Sequence, residues 1–160
     1  MDRVNLILRN SKYQEYIDKI KQAEEDRIFC LHNMSHFMDV ARIAYSINLE
    51  EGLQISKELI YATALLHDIG RFRQYEDGTP HELTSAELAW EIMGECAFME
   101  QEQQEIIRAI REHRNTKVAK EKNLAGIIYR ADKLSRSCFA CEAEKQCDWK
   151  NAKKNMKITY

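Results

Sequence analysis

With one Pro and five Gly in 160 residues, the chain holds few residues that reverse a backbone cheaply. At ordinary usage a chain this long carries about nineteen. Sandwiches, small barrels and propellers place such residues at every corner. Three Val and five Thr leave little material for strands. The expectation is an all-α, single-domain bundle of about six helices over residues 1–160. Its core lies over about 30–137, with an N-terminal helix and a basic C-terminal tail packed on it.

Apolar residues make up 44% and charged residues 31% of the chain, an ordinary globular balance rather than a disordered one. The formal net charge of −2, from 24 basic and 26 acidic residues, gives no reason to expect nucleic acid as a partner. The longest strongly apolar stretch, Leu59 to Leu66, is too short to span a bilayer. Asp2 stands where a signal peptide is basic, and no apolar segment or cleavage site follows, so a cytoplasmic protein is expected. Five Cys without a leader argue against a disulfide framework, and Cys30 and Cys96 read as small core residues.

Apolar periodicity places a first helix after Ser11, with Tyr13, Tyr16, Ile17 and Ile20 on one face. A second runs from about Ser35 to Leu49 with the stripe Val40, Ile43, Ala44, Ile47. A third covers Ser56 to Asp68 and stops at Gly70. Residues Arg71 to Pro80, with Asp77-Gly78, read as a loop. Thr84 and Glu87 have the spacing of a capping box opening a fourth helix toward Gly94. A fifth spans Glu100 to Arg114 and a sixth runs from Asn123 to Arg136.

Onto these helices fall His36, four residues before Val40; His67 and Asp68, ending the third; His113, after Ile106 and Ile110; and Asp132, four after Ile128. His81 stands in the loop ahead of the capping box. Each of the helical ones points inward at the end of an apolar stripe, where an unpaired polar group is costly to bury. One such His is more often a hydrogen-bonded core residue. Four His and two Asp from five segments are better satisfied by a metal ion, since imidazole and carboxylate suit Fe, Mn, Zn and related ions. A zinc-protease motif is excluded, because His81-Glu82 is followed by Ser85 where a second His is required.

The set His36, His67-Asp68 within "LLHDIGRF" and Asp132 within "YRADKLSR" resembles the HD-domain superfamily of metal-dependent phosphohydrolases. "HNMSHFMDVARIA" is similar to that family's first motif, and the likeness runs from about His32 to Arg136. The resemblance implies an all-α fold and a first metal held by His36, His67, Asp68 and Asp132. His81 and His113 stand where the binuclear branch has its extra ligands, which implies a second metal shared through Asp68. Fe or Mn come first among the ions and Zn, Ni or Co next. The implied reaction is cleavage of a phosphate ester or anhydride, of a small phosphorylated substrate such as a nucleotide, by a metal-activated water. Asp68 would bridge the ions and take the water's proton, while Arg71 and Lys133 are candidates to clamp the phosphate. Arg73 reads as a solvated surface charge, and His32 as structural or as support behind a ligand.

Other readings stay open. The same ligands serve diiron oxygenases of this superfamily, and a regulatory module would hold a nucleotide without turnover. Cys138, Cys141 and Cys147 read as reduced thiols, with metal or redox use as the minor alternative. Nothing in the spacing speaks to oligomeric state.

Overall fold

The computed structural model describes all 160 residues as helices and connections without a strand. Eight α-helices are present: α1 (Asp2–Arg9), α2 (Ser11–Ala23), α3 (Met34–Glu50), α4 (Lys57–Leu66), α5 (Arg71–Glu76), α6 (His81–Glu95), α7 (Glu100–Glu112) and α8 (Leu124–Leu134). Short 3-10 turns cover Thr116–Lys120, Cys138–Ala140, Glu144–Gln146 and Asn151–Lys153. No helix is long and apolar enough to cross a membrane.

Three of the differences from the sequence expectation have local causes. α1 is an additional helix, with Val4 and Ile7 buried in the common core. α5 occupies most of the expected 71–80 loop, and its Phe72 is buried and stacks on Tyr16 of α2. α6 starts at His81 rather than at a Thr84 capping box. Pro80 stands at its N-cap, and Thr84 is buried in the first turns against Gly70. His81 is therefore the first residue of a helix and not a loop residue.

Side-chain caps fix two helices that matter for the site. Asn33 accepts the His36 N–H at 3.1 Å, setting His36 in the first turn of α3. Asn123 accepts the Gly126 N–H at 3.1 Å and starts α8.

One cluster of 29 buried hydrophobic residues runs through the molecule from Val4 to Ala131. α3 packs on α4 and α8, and α7 packs on α6, α8 and α4. The N-terminal helices contribute Val4, Ile7 and Tyr13 to that cluster, so the core begins before residue 30. Gly70 is where α6 meets the α4–α5 junction. A Cβ there would lie 2.5 Å from the Ser85 nitrogen and 2.7 Å from the Thr84 Cβ, and the Gly70 N–H donates to Ser85 Oγ at 2.9 Å. Only glycine permits this approach, which locks the His67-Asp68 turn onto the start of α6.

Candidate metal centre

His36, His67, Asp68 and Asp132 converge from α3, the end of α4 and α8, with ligand atoms within 4.8 Å of one another. Asp68, His81 and His113 form a second group under the same limit, drawing on α6 and the end of α7. All six residues are buried. Asp68 belongs to both groups and divides its oxygens between them. Its Oδ2 lies 3.7 Å from His36 Nε2 and 3.3 Å from His67 Nε2. Its Oδ1 lies 3.0 Å from His81 Nε2 and 3.5 Å from His113 Nε2.

The outer nitrogen of every imidazole in these groups is already committed. His67 Nδ1 donates to the Ala64 carbonyl at 2.7 Å, and His113 Nδ1 to the Ile110 carbonyl at 2.6 Å. His36 Nδ1 donates to Ser135 Oγ at 3.1 Å, whose own proton goes to the Asp132 carbonyl at 2.8 Å. His81 Nδ1 donates to Gln74 Oε1 at 2.5 Å. Four Nε2 lone pairs consequently face inward.

Lone pairs facing lone pairs repel unless something electropositive lies among them. His81 Nε2 and His113 Nε2 are 3.1 Å apart, and neither has its ring proton there. His67 Nε2 and Asp68 Oδ1 are buried with no hydrogen-bond partner at all. Ligand bonds of about 2.1 Å to a divalent ion set neighbouring donor atoms about 3.0–3.4 Å apart, close to the separations present. The donor set, its outward hydrogen bonds and its orphaned atoms all fit a divalent cation.

At His36 and His81 electrostatics agree with that fit. Burial lowers the His36 imidazole to about 4, with Arg136 adding to the effect and Asp68 opposing it. Burial also holds His81 below its ordinary value, so both rings are neutral, as coordination requires. For His67 burial is again the largest single effect, but Asp68 and Asp132 together outweigh it and raise the ring. Burial would raise the Asp68 carboxyl, yet His67, His113, His32 and His36 hold it well below the usual carboxylate range. Asp132 is lowered in the same way against burial, by Lys133, His67 and Arg136.

The centre opens into a cavity of about 880 Å³. Arg71 and Lys133 both line it. Arg71 Nη1 sits 2.8 Å from His81 Nδ1 and its Nε donates to Tyr75 Oη at 3.2 Å. Lys133 Nζ is paired with Asp132. Arg73 is turned to solvent beside Asp77 at 3.6 Å. Cys96 is buried as expected, but Cys30 is only half-buried and faces the cavity. The segment that carries it, Arg27 to Asn33, lines the cavity rather than the helical core. All five cysteines are free, and Cys138, Cys141 and Cys147 also line the cavity, in a wall with Trp149 and Lys154.

Several participants escaped the sequence. Gln74 and Ser135, which orient His81 and His36, lie on segments read as loop and helix end. Glu24 and His32 are both buried, and the His32 Nδ1 proton goes to Glu24 Oε1. Glu24 is held at about 2, burial opposing and His32 and Tyr75 prevailing. An acid and an imidazole eight residues apart are not a recognisable pair before the turn between them is known.

Comparison with known proteins agrees with this geometry. A family profile described as HD domain matches residues 33–137. An uncharacterized protein of Clostridium beijerinckii is 50% identical over 160 residues, 100% of both chains. Ribonuclease Y of Mycoplasma mycoides subsp. mycoides is 32% identical over 104 residues, which is 65% of this chain but only 18% of that protein. A crystal structure of a predicted HD superfamily hydrolase from an uncultured Thermotogales bacterium has the same fold, with a TM-score of 0.63 at 24% identity. That likeness covers 98% of this chain and 88% of the other. With a profile match over more than half of its length and a relative alike from end to end, the chain belongs to the HD domain family.

Proposed function

We propose that this protein is a metal-dependent phosphohydrolase that cleaves an ester or anhydride bond of a small phosphorylated compound, a nucleotide in class. In this reading two divalent transition-metal ions, Fe or Mn first, are held by His36, His67, Asp68 and Asp132 and by Asp68, His81 and His113. The observation that carries it is the division of Asp68 between two buried ligand groups beside one cavity. Such ions supply Lewis acidity toward phosphoryl oxygens and a water of lowered pKa.

The chain's own residues supply the rest. Asp68 fixes the spacing of the two groups and its carboxylate takes the proton released by the attacking water. Arg71 donates to Tyr75 Oη and has no carboxylate to neutralise it, and so presents a free cation to a substrate phosphate. Lys133, already paired with Asp132, contributes less. The names of the ribonuclease and of the Thermotogales hydrolase support hydrolysis as the reaction class. Five free thiols suit a reducing cytoplasm.

Elemental analysis of freshly purified protein, followed by phosphate release from nucleotides, tests the reading. Two metal equivalents and phosphate release are expected, with both lost in Asp68→Ala. An Asp68→Ala protein keeping its metal and full activity defeats the proposal. Air-dependent oxidation without phosphate release would instead identify an oxygenase.

A further inference from the structure

Four of the five free thiols, those of Cys30, Cys138, Cys141 and Cys147, line the cavity beside the metal centre, while Cys96 is buried in the core. None of the four belongs to the His–Asp ligand groups. Three of them follow one another along a run of tight turns. The Cys141 N–H donates to the Cys138 carbonyl at 3.2 Å, and the Glu144 N–H to the Cys141 carbonyl at 3.1 Å. The Cys147 N–H then donates to the Glu144 carbonyl at 3.3 Å. Each such turn keeps its first and fourth residues within about 7 Å. Lys154 Nζ fastens the run, donating to the Glu144 carbonyl and to Glu144 Oε1, both at 2.8 Å. Glu144 raises the Lys154 ammonium above its ordinary value, desolvation opposing, and Cys147 and Cys138 add to the effect. Both thiols therefore lie in the field of one nearly buried cation.

Burial does not account for this order. From 137 to 160 only Cys138 is buried, and Cys30 sits in the non-helical stretch between α2 and α3. Chain that buries so little is held in small folds by disulfides or by bound metal. The thiols are free, which leaves metal. A single zinc ion, with bonds of about 2.3 Å, would draw its sulfurs to about 3.8 Å from one another. No three of these thiols come within 4.8 Å of one another. An iron–sulfur cluster sets its own irons and sulfides between the thiolates and so spans a wider opening. Its thiolates are negative, and Lys154 offsets that charge. We propose that Cys30, Cys138, Cys141 and Cys147 hold a four-iron iron–sulfur cluster that ties the two non-helical stretches together at the cavity. It shares no ligand with the His–Asp groups, so it stands whether or not the protein hydrolyses phosphate.

The test uses full-length protein purified without oxygen, reconstituted with ferrous iron and sulfide, and freed of unbound ions. Acid-labile sulfide is the readout, because the His–Asp groups can bind iron but not sulfide. Wild type should hold about four sulfides per chain and show a visible charge-transfer band. Cys30→Ser and Cys141→Ser should each lose both signals. Asp68→Ala, which disrupts the His–Asp groups, should keep them. Thermal unfolding checks that each variant folds, and Cys147→Ser carries the test if Cys30→Ser does not. Wild type without sulfide, or with zinc on the thiols in its place, overturns the proposal. So does sulfide that persists in a folded cysteine variant or disappears in Asp68→Ala.

Discussion

In α8, Ile127, Ile128 and Ala131 are fully buried, and Asp132 follows them inward to the ligand cluster. Beyond Arg136 the chain changes character. Of the 24 residues from 137 to 160 only Cys138 is buried, and the backbone makes nothing longer than three-residue 3-10 turns. Yet both stretches border the same cavity. Side chains of a candidate metal site, whose spacing must hold to a fraction of an ångström, sit on or at the ends of helices packed from several sides. The wall contributed by the stretch beyond Arg136 sits on chain with few apolar contacts, which can change composition and position without disturbing that cluster.

The largest effect should separate the two stretches directly. Ile128→Ala is expected to destabilise by about 2–5 kcal/mol in urea unfolding, from lost burial and the cavity left behind. Trp149→Ala, in the wall, should leave the unfolding midpoint unchanged and raise the KM for substrate. Comparable unfolding losses in both would show that the wall is part of the core. Next comes the junction of α6 with the His67-Asp68 turn. Gly70→Ala should cost about 1–3 kcal/mol, because a Cβ there meets backbone rather than a flexible side-chain end. By pushing His81 away from Asp68 it should also lower the bound metal toward one equivalent. Retention of two equivalents would deny the glycine that role.

A smaller effect concerns how the wall is attached. Asn155 Nδ2 donates to the Lys133 carbonyl at 2.7 Å and to the Arg136 carbonyl at 2.9 Å, clasping the tail to the end of α8. Asn155→Ala should cost about 1 kcal/mol. Limited proteolysis should then cut within 137–160 first, leaving the helical body intact.

The smallest effect belongs to neither stretch and serves as their control. Arg3 bridges Glu58 at 2.8 Å and Glu102 at 2.5 Å. Burial would raise the Glu58 carboxyl, but the N-terminal amine and Arg3 lower it, and Arg3 lowers Glu102. Folded values below the unfolded ones mean stability present above the ordinary carboxylate range and lost as pH falls through the folded values. Arg3→Ala should therefore reduce stability by about 1 kcal/mol or less at neutral pH, the network being solvent-screened. The melting gap between wild type and variant should close in acid; a gap independent of pH would rule out this linkage.

The helices carrying ligands were legible because each buries a stripe that ends in a polar residue. Ile106, Ile110, His113 and Ile128, Asp132 are examples on which period and chemistry agree. Legibility failed where two signals competed. Asp77-Gly78 and Pro80 punctuate the chain so strongly that the six-residue α5 between Gly70 and Asp77 left no readable period. Thr84 has capping-box spacing, but its burial against Gly70 reflects packing between helices, which no local pattern encodes. The wall and the Glu24–His32 pair depend on chain reversals that bring distant residues together, and their residues carry no mark of it.

The outward bonds of the four imidazoles fall into two kinds with different evolutionary futures. His67 and His113 lean on carbonyls three residues back in their own helices, contacts that survive any side-chain substitution at Ala64 or Ile110. His36 and His81 lean on Ser135 and Gln74, side chains that one base change can replace. Each ligand group thus pairs one hard-wired imidazole with one adjustable partner. Positions 74 and 135 are where lineages, or an engineer, can retune the two groups separately, as Gln74→Glu would do by making the His81 imidazole more basic.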